Sequence, residues 1–343
     1  MKPLQPVIIS LVWISLLITG CSRSDGPEIL EFSGRTMGTW YTIKVTEFPS
    51  SADPETIAKV IETELNNVND KMSTYKSDSE LSLFNKAPVG EPFKVSPDTF
   101  EVITRSLEIW RLSQGAFDVT IGPLVNLWGF GPDGKPEKIP SLEDMKNAWD
   151  KVGSDGLILH VDDRELVKRK ELYVDLSAIA KGYAVDRVAE ALENAGIRRY
   201  LVEVGGEIRA GNSKAAGISW QVAVEEPVSD RRQIHKVIKL DNAAMATSGD
   251  YRNYFEVDGK RYSHTIDPRN GQPIAHQLAS ASVIMPSCAD ADAWATALMV
   301  LGPDLGMQVA EANNLAVYMI LKQQQGFKSI HSTAFAQYLD SGE

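Results

Sequence analysis

Polar side chains in the segment Tyr173–Leu192 have the types and spacing of an anion-binding site. The apolar run Leu172–Val174 predicts a short strand that ends at Asp175, and Ser177 is a favourable N-cap for a helix with Lys181 in its first turn. A helix N-terminus after a tight turn presents unpaired backbone N–H groups, and the helix dipole favours anions there. The pattern indicates a phosphate site, although an ordinary strand–helix junction with a surface lysine fits the same residues.

A second candidate site lies on the predicted helix Ser287–Leu301. Asp292 and Thr296 are four residues apart, which places a carboxylate and a hydroxyl on one helical face. Oxygen ligands of this kind suit Mg²⁺, a hard cation that often binds beside phosphate oxygens. The alternative is a hydrogen-bonded pair that faces solvent.

His264 is the candidate general base. It is one of five histidines and lies among Ser263, Thr265 and Asp267. Imidazole titrates near neutral pH, and a nearby carboxylate can orient the ring. A hydrogen-bonded structural histidine is the alternative.

The elements that would position these side chains are a mixture of helices and short strands. The first two strands flank the turn Gly34–Thr39, and Asp258-Gly259 is a hairpin turn signal. The mixture, without repeats or linkers, predicts a single α+β domain with mixed or antiparallel sheets and packed helices. Besides Leu172–Val174, the predicted strands are Ile29–Phe32, Trp40–Thr46, Tyr200–Val204, Trp220–Glu225, His235–Leu240, Asn253–Val257, Ala279–Met285 and Ala316–Leu321. The other predicted helices follow the caps Asp53, Ser96 and Ser141 or span Asp304–Asn313.

Composition and charge limit the possible functions. The chain has 343 residues, of which 43% are hydrophobic and 24% charged, so it can bury a sizeable core. The formal net charge of −11 argues against general nucleic-acid binding and against electrostatic binding to anionic lipid.

The N-terminus has the pattern of a targeting segment. Lys2 precedes the apolar run Val7–Thr19, and Leu17–Cys21 resembles the lipobox of bacterial lipoproteins. We therefore expect a signal peptide at residues 1–20, lipidation of Cys21 with a tether to residue 27, and a folded domain over residues 28–343. The alternative is an ordinary secretory signal with a chance cysteine. If Cys21 is lipidated, Cys288 has no disulfide partner in the chain.

The motifs together resemble the ApbE lipoproteins of bacteria, which are FAD:protein FMN transferases. Each motif is weak alone, but eight follow one another in order over essentially the whole mature chain. They are Gly34–Thr39, Met72–Tyr75, Gly115–Gly122, Asp175–Gly182, Val204–Gly206, Ala246–Tyr254, Ser263–Gly271 and Ala289–Ala297.

The resemblance implies a specific reaction. Members of this family use Mg²⁺ to cleave the pyrophosphate of FAD, transfer FMN to a Ser or Thr hydroxyl of a target protein and release AMP. Their targets include subunits of the Na⁺-translocating NADH:quinone reductase and of Rnf-type complexes. The enzyme would then be a lipid-anchored protein on the periplasmic side of a cell membrane, with no role in binding nucleic acid.

The resemblance also implies roles for individual residues. His264 would deprotonate the incoming hydroxyl. The Mg²⁺ ligands would be Asp292, Thr296 and a main-chain carbonyl that we place at Ala178. The residues that would bind the flavin nucleotide are Met37, Tyr75, Ala116, Phe117, Asp118, Asp175, Lys181 and Ile266.

Two other functions fit the same residues. In a Mg²⁺-dependent FAD pyrophosphatase, water would replace the protein hydroxyl, and AMP would be released without an acceptor. A periplasmic flavin-binding or storage lipoprotein would bind FAD tightly whether or not Mg²⁺ is present.

Overall fold

An eight-stranded sheet forms the centre of the fold. The computed structural model describes residues 27–50, 52–131, 139–228, 233–251, 254–257 and 260–339, so the predicted signal peptide and Cys21 lie outside the described residues. The strands are β1 Leu30–Thr36, β2 Thr39–Val45, β3 Phe93–Lys94, β4 Leu157–His160, β5 Glu165–Lys168, β6 Tyr200–Val204, β7 Glu207–Ala210, β8 Trp220–Glu225, β9 Ile234–Leu240, β10 Ala243–Gly249, β11 Tyr254–Val257, β12 Lys260–Ser263, β13 Ile266–Asp267, β14 Gln272–Pro273, β15 Leu278–Met285, β16 Ala316–Lys322 and β17 Phe327–His331.

Neighbouring strands of the central sheet are all antiparallel, in the order β1-β2-β6-β7-β10-β15-β16-β17. The remaining strands form the small sheets β3-β5-β4, β8-β9, β11-β12 and β13-β14. The helices are α1 Pro54–Met72, α2 Glu80–Lys86, α3 Pro97–Leu112, α4 Gly122–Leu127, α5 Leu142–Trp149, α6 Ala180–Asn194 and α7 Cys288–Ala312. Within the described ranges, no helix is both long and apolar enough to cross a membrane.

Both faces of the central sheet are buried. In β16, Val317 and Met319 belong to the main core with α1, α6 and α7, whereas Tyr318 and Ile320 pack in a second core that includes Trp220 of β8. Successive side chains of a strand point to opposite faces, so one strand contributes to both cores. The helices therefore cover one face, and the β8-β9 hairpin covers part of the other.

Local capping chemistry sets the start of four helices, as the sequence predicted. Asp53 accepts a hydrogen bond from Thr56 N (2.9 Å), Ser96 from Thr99 N (3.4 Å) and Ser141 from Asp144 N (3.1 Å). Ser287 caps α7 in the same way. Inside α7, Gly302 has the non-helical angles φ 76° and ψ −179°, which separates the two helices predicted on either side of it.

The predicted cap and strand around Asp175 are wrong. Helix α6 begins at Ala180 without a side-chain cap from the described residues, because the Asp175 carboxylate accepts from Ser177 N (2.8 Å) and stabilises a turn instead. In place of a strand over Leu172–Val174, the structure has a single parallel bridge between Ile121 and Tyr173. The Asn85 side chain bonds both Val174 N and Val174 O at 2.8 Å, and so replaces a neighbouring strand.

Other element boundaries differ from the predicted ones. The first turn is shorter than Gly34–Thr39, because Thr36 pairs with Thr39 and only Met37 and Gly38 form the turn, with φ of 48° and 73°. Strand β16 is not the last, because β17 pairs with it. The sequence analysis also did not predict the helices α2 and α4 or the strands β3, β4, β5, β7, β10, β13 and β14. The hairpin turn Asp258-Gly259 lies outside the described residues, although β11 and β12 pair on either side of it.

Candidate functional site

Most of the predicted site residues line one cavity of about 440 Å³. They come from the loop before α4, the turn before α6 and the first turn of that helix, the segment around β13, and α7. These stretches are far apart in the sequence, so the fold brings them together. The predicted residues in the wall are Ala116, Phe117, Asp118, Asp175, Ala178, Lys181, His264, Ile266, Asp292 and Thr296.

Two predicted flavin-binding residues do not belong to this wall. Met37 lies in the β1–β2 turn and packs, partly buried, against the main core. Tyr75 is 70% exposed. Partial burial and the charge of Asp175 raise the pKa of the Tyr75 phenol.

The Asp118 carboxylate is buried and fully engaged within the protein. It accepts from Thr120 N (2.8 Å) and Thr120 Oγ1 (2.6 Å), and from Ser154 N (3.1 Å) and Ser154 Oγ (2.7 Å). These bonds hold the loop before α4 against the turn at residues 154–156. Asp118 therefore shapes the wall through the backbone that it stabilises.

A lysine between two buried carboxylates is the main charged feature of the cavity. Lys181 Nζ lies 2.7 Å from Glu207 Oε1 and 3.8 Å from Asp292 Oδ2. Burial lowers the pKa of Lys181, but the charges of Asp292 and Glu207 raise it by more. Burial raises the pKa of Glu207 and of Asp292, and the Lys181 charge opposes both shifts. The lysine therefore stays protonated and supplies positive charge to the wall.

The oxygen donors around Asp292 fit a hard cation. Asp292 Oδ2 accepts from Gly182 N at 3.1 Å, so the amide four residues after Ala178 is directed to this side chain. Thr296 Oγ1 lies 3.1 Å from Ser248 Oγ at the end of β10. In the part of the chain that the structure describes, no three His, Cys, Asp or Glu side chains are grouped to hold a metal ion. The donors here are instead the Asp292 carboxylate and the hydroxyls of Thr296 and Ser248, and such oxygen atoms suit Mg²⁺.

His264 lies half-buried in the wall, beside β13. Its ring makes an edge contact with Phe130, with the centroids 6.2 Å apart. Phe117 and Ile266 add apolar surface to the same cavity. The wall thus combines an imidazole and a charged cluster with surface for planar rings.

Sequence reasoning missed Glu207 and Ser248 as site residues. Glu207 directly follows the pair Gly205-Gly206, and Ser248 lies within the motif Ala246–Tyr254. Glu207 is therefore adjacent to a recognised motif and Ser248 is inside one, but only the sheet order brings β7 and β10 alongside α6 and α7.

The family of the chain follows from comparison with known sequences. Residues 37–319 match the sequence model of the ApbE family. The chain belongs to the ApbE family. The predicted resemblance and the single α+β domain are confirmed, and with them the expectation of a transferase.

Curated relatives named FAD:protein FMN transferase are similar over nearly their full length. The FAD:protein FMN transferase of Vibrio cholerae serotype O1 is 47% identical over 325 residues, which cover 94% of this chain and 96% of the relative. The FAD:protein FMN transferase of Escherichia coli K12 is 39% identical over 342 residues and 97% of each chain.

Solved ApbE structures have the same fold. The flavin transferase ApbE of Vibrio cholerae has a TM-score of 0.84 and 46% identity, with 91% of this chain and 99% of that chain covered. The apo flavinyl transferase ApbE of Pseudomonas stutzeri has a TM-score of 0.85 and 40% identity, with 92% and 98% covered.

Proposed function

We propose that this ApbE-family chain transfers the FMN moiety of FAD to a serine or threonine hydroxyl of a target protein, in a Mg²⁺-dependent reaction that releases AMP. The observation that carries the proposal is that Lys181, Asp292, Thr296 and His264 line one cavity although they come from separate elements. The names of the curated relatives support transfer of FMN from FAD to a protein.

The reaction breaks the phosphoanhydride bond of the FAD pyrophosphate and forms a phosphoester bond to the acceptor hydroxyl. The acceptor hydroxyl oxygen attacks the phosphorus on the FMN side of the pyrophosphate, the bond from that phosphorus to the bridging oxygen breaks, and AMP leaves with the bond electrons. Phosphoryl transfer depends mainly on positioning and on neutralising charge. Lys181 supplies positive charge in the wall, and His264 is the group we assign to accept the hydroxyl proton.

Asp292, Thr296 and the Ala178 carbonyl would hold Mg²⁺. When bound, the ion would neutralise negative charge on the pyrophosphate. The Gly182 amide fixes the Asp292 carboxylate at 3.1 Å, so this ligand is oriented by the first turn of α6. Phe117, Ile266 and the ring of Phe130 would contact the planar parts of FAD.

Flavin transfer can be tested directly with protein that begins after Cys21. The protein is mixed with FAD, Mg²⁺ and a periplasmic redox-subunit domain, and a denaturing gel is examined for flavin fluorescence. We expect a fluorescent acceptor band that is absent with EDTA. Metal-dependent AMP release without an acceptor would instead indicate a pyrophosphatase, and metal-independent FAD binding without AMP release would indicate a flavin-binding protein.

Substitution of Asp292 tests the metal assignment. Asp292→Ala should lower the transfer rate on the order of 100-fold, because a charge-stabilising group is lost from the transition state. Asp304→Ala, at an exposed position of the same helix, is the matched control and should keep the wild-type rate. Full activity of Asp292→Ala at saturating Mg²⁺ would exclude the assigned ligand.

Substitution of His264 tests the general base. His264→Ala should slow transfer by roughly 100-fold or more while FAD still binds, because a base contributes to the chemical step and not to ground-state binding. Single-turnover transfer and the FAD dissociation constant are measured side by side. Loss of FAD binding together with transfer would make His264 a ligand contact or a structural residue.

We also propose that lipidation of Cys21 holds the enzyme at the periplasmic side of a cell membrane. Subunits of Na⁺-translocating NADH:quinone reductase or Rnf-type complexes would be its acceptors there. Cys21→Ser should move the protein from the membrane fraction to the soluble periplasmic fraction, whereas the buried Cys288→Ser control should stay with the membrane. Unchanged fractionation of Cys21→Ser would contradict the anchor.

A further inference from the structure

A buried carboxylate that the proposed reaction does not use lies in the cavity wall. Glu207 is only 4% exposed, and its Oε2 atom is buried without a hydrogen-bond partner among the residues that the structure describes. Its Oε1 atom is 2.7 Å from Lys181 Nζ. A buried carboxylate with one oxygen left without a hydrogen bond is unfavourable, so packing does not account for a glutamate at this position.

Lys181 Nζ lies closer to the Glu207 carboxylate than to the Asp292 carboxylate. The 2.7 Å distance to Glu207 is that of a close ion pair, whereas the 3.8 Å distance to Asp292 Oδ2 is beyond hydrogen-bond range. The lysine is therefore drawn toward Glu207 and away from Asp292.

The sheet fixes the position of Glu207. Glu207 is the first residue of β7 and pairs with Val204 of β6. The turn between them contains Gly205 and Gly206 with φ of 65° and 108°, a conformation that glycine adopts most readily. Glu207 is thus held by the sheet, whereas Lys181 and Asp292 belong to α6 and α7.

Without the Glu207 charge, the lysine would have a different partner. Its ammonium is on a flexible stem, and a shift of about 1 Å would bring it to hydrogen-bond distance from Asp292. A salt bridge at that place would neutralise the charge of the Asp292 carboxylate, and the ammonium would repel a divalent cation.

We infer that Glu207 is a positioning residue that holds Lys181 away from Asp292 and so keeps Asp292 open to the divalent cation. The inference rests on the proposed function, because it requires Asp292 to be a cation ligand. In this arrangement, one wall provides both an anchored ammonium for phosphate oxygens and an accessible carboxylate for the metal.

Metal affinity in matched variants tests the inference. Mn²⁺ alone is titrated into the soluble protein, and free Mn²⁺ is followed by electron paramagnetic resonance. The variants are Glu207→Gln, Lys181→Met, the double variant Glu207→Gln/Lys181→Met, and Asp292→Asn. Glu203→Gln, an exposed glutamate on the adjacent strand β6, is the control. The Mg²⁺ concentration for half-maximal flavin transfer is measured in the same proteins.

We expect Glu207→Gln to weaken Mn²⁺ binding on the order of tenfold, the size of effect typical of residues that orient metal ligands. The double variant should return to within about threefold of wild type, because the competing ammonium is gone and the two effects are coupled. Lys181→Met should bind Mn²⁺ at least as tightly as wild type, and Glu203→Gln should match wild type. A purely structural role for Glu207 would leave the double variant as weak as Glu207→Gln.

The possible failures are distinguishable. Unchanged metal affinity in Glu207→Gln, or no recovery in the double variant, would overturn the inference while Asp292→Asn still loses the metal. Wild-type affinity in Asp292→Asn would overturn the metal assignment itself and the inference with it. If Glu207→Gln does not fold, Glu207→Asp replaces it, because it shortens the side chain by one methylene. Glu207→Asp should also bind Mn²⁺ more weakly than wild type, and adding Lys181→Met should restore the affinity.

Discussion

At the scale of single residues, the half-buried ring of His276 has contacts that fit only one protonation state. Its Nε2 atom lies 2.8 Å from Met299 O, and Leu278 N donates to its Nδ1 at 3.3 Å. A carbonyl can only accept, so Nε2 carries the proton and Nδ1 is the acceptor. The ring is therefore neutral in the folded protein, and its burial lowers the pKa below the ordinary histidine value.

This protonation state predicts a pH dependence of stability. The unfolded chain takes up the proton near pH 6.5, but the folded chain does so only at lower pH. Because the unfolded state binds more protons in that window, the free energy of unfolding falls as the pH drops below about 6.5. Urea denaturation of wild type and His276→Gln at pH 7.5 and 5.5 measures the effect.

The wild type should lose more stability between these pH values than His276→Gln. Acidic groups that titrate at low pH contribute equally to both proteins, so the difference isolates His276. Identical losses in the two proteins would show that the ring does not resist protonation.

At the scale of elements, the crossing of α6 and α7 positions the cation ligands. Asp186 of α6 accepts from Ser287 Oγ, Cys288 N and Ala289 N, each at 3.0 Å, and so caps the start of α7. Arg209 donates to the same carboxylate at 2.8 Å. One helix thus caps the next, which fixes the rotation of α7.

The closest point of this crossing is Gly182. A Cβ atom there would lie 2.3 Å from Cys288 O and 2.8 Å from Ala289 Cα, both in backbone that cannot move without shifting α7. Gly182→Ala should lower the free energy of unfolding by about 2 kcal/mol through overpacking. It should also weaken Mn²⁺ binding, because the 3.1 Å contact from Gly182 N to Asp292 depends on the same approach.

Urea denaturation and Mn²⁺ titration check this prediction. Asn194→Ala, at the exposed end of α6, is the control and should leave both quantities near wild type. Wild-type stability and metal affinity in Gly182→Ala would mean that the helices can separate without disturbing the site.

Sequence could predict the parts of the elements that depend on neighbours in the chain. The caps Asp53, Ser96 and Ser287 bond amides within three residues, so their helices begin where expected. Helix α6 begins later than expected because the Asp175 side chain competes for the local amide. Strand β10 was missed because its alanine-rich sequence is a weak strand former, and its position between β7 and β15 supplies the pairing.

The site was predictable to the same extent. Lys181, Asp292 and Thr296 could be chosen from spacing and from resemblance, and they share the cavity. The role of Glu207 could not be predicted, because it depends on an ion pair with Lys181, which belongs to another element. The ion pairs that position the charged side chains of the wall join different elements, so they cannot be predicted from a single sequence.

At the scale of the whole molecule, the face of the sheet opposite the helices acts as scaffold. Phe335, in the short turn at residues 333–338, is fully buried there, with its ring 5.2 Å from Tyr318 and 5.8 Å from Tyr338. None of these residues lines the cavity. A substitution on this face should therefore change the stability of the fold without changing the rate of flavin transfer.

Phe335→Ala tests that separation. It should lower the free energy of unfolding by about 3–5 kcal/mol, the usual effect of removing a buried phenylalanine ring. The rate of flavin transfer per folded molecule should stay at the wild-type value. Phe335→Leu should lose only about 1 kcal/mol. A proportional loss of transfer rate in folded Phe335→Ala would connect this face to the site.

The order of strands in the central sheet also has a consequence for folding. β2 pairs with the distant strand β6, for example Thr42 with Glu203. β10 lies between β7, which precedes it in the sequence, and β15, which follows it. Such distant pairings make folding slow, since long loops must close before the contacts form. The cavity needs α7, so a nascent chain cannot hold nucleotide until most of its length has emerged. A chain that stops before α7 would expose the apolar face of β10 and β15, and we expect it to aggregate or be degraded rather than to retain partial activity.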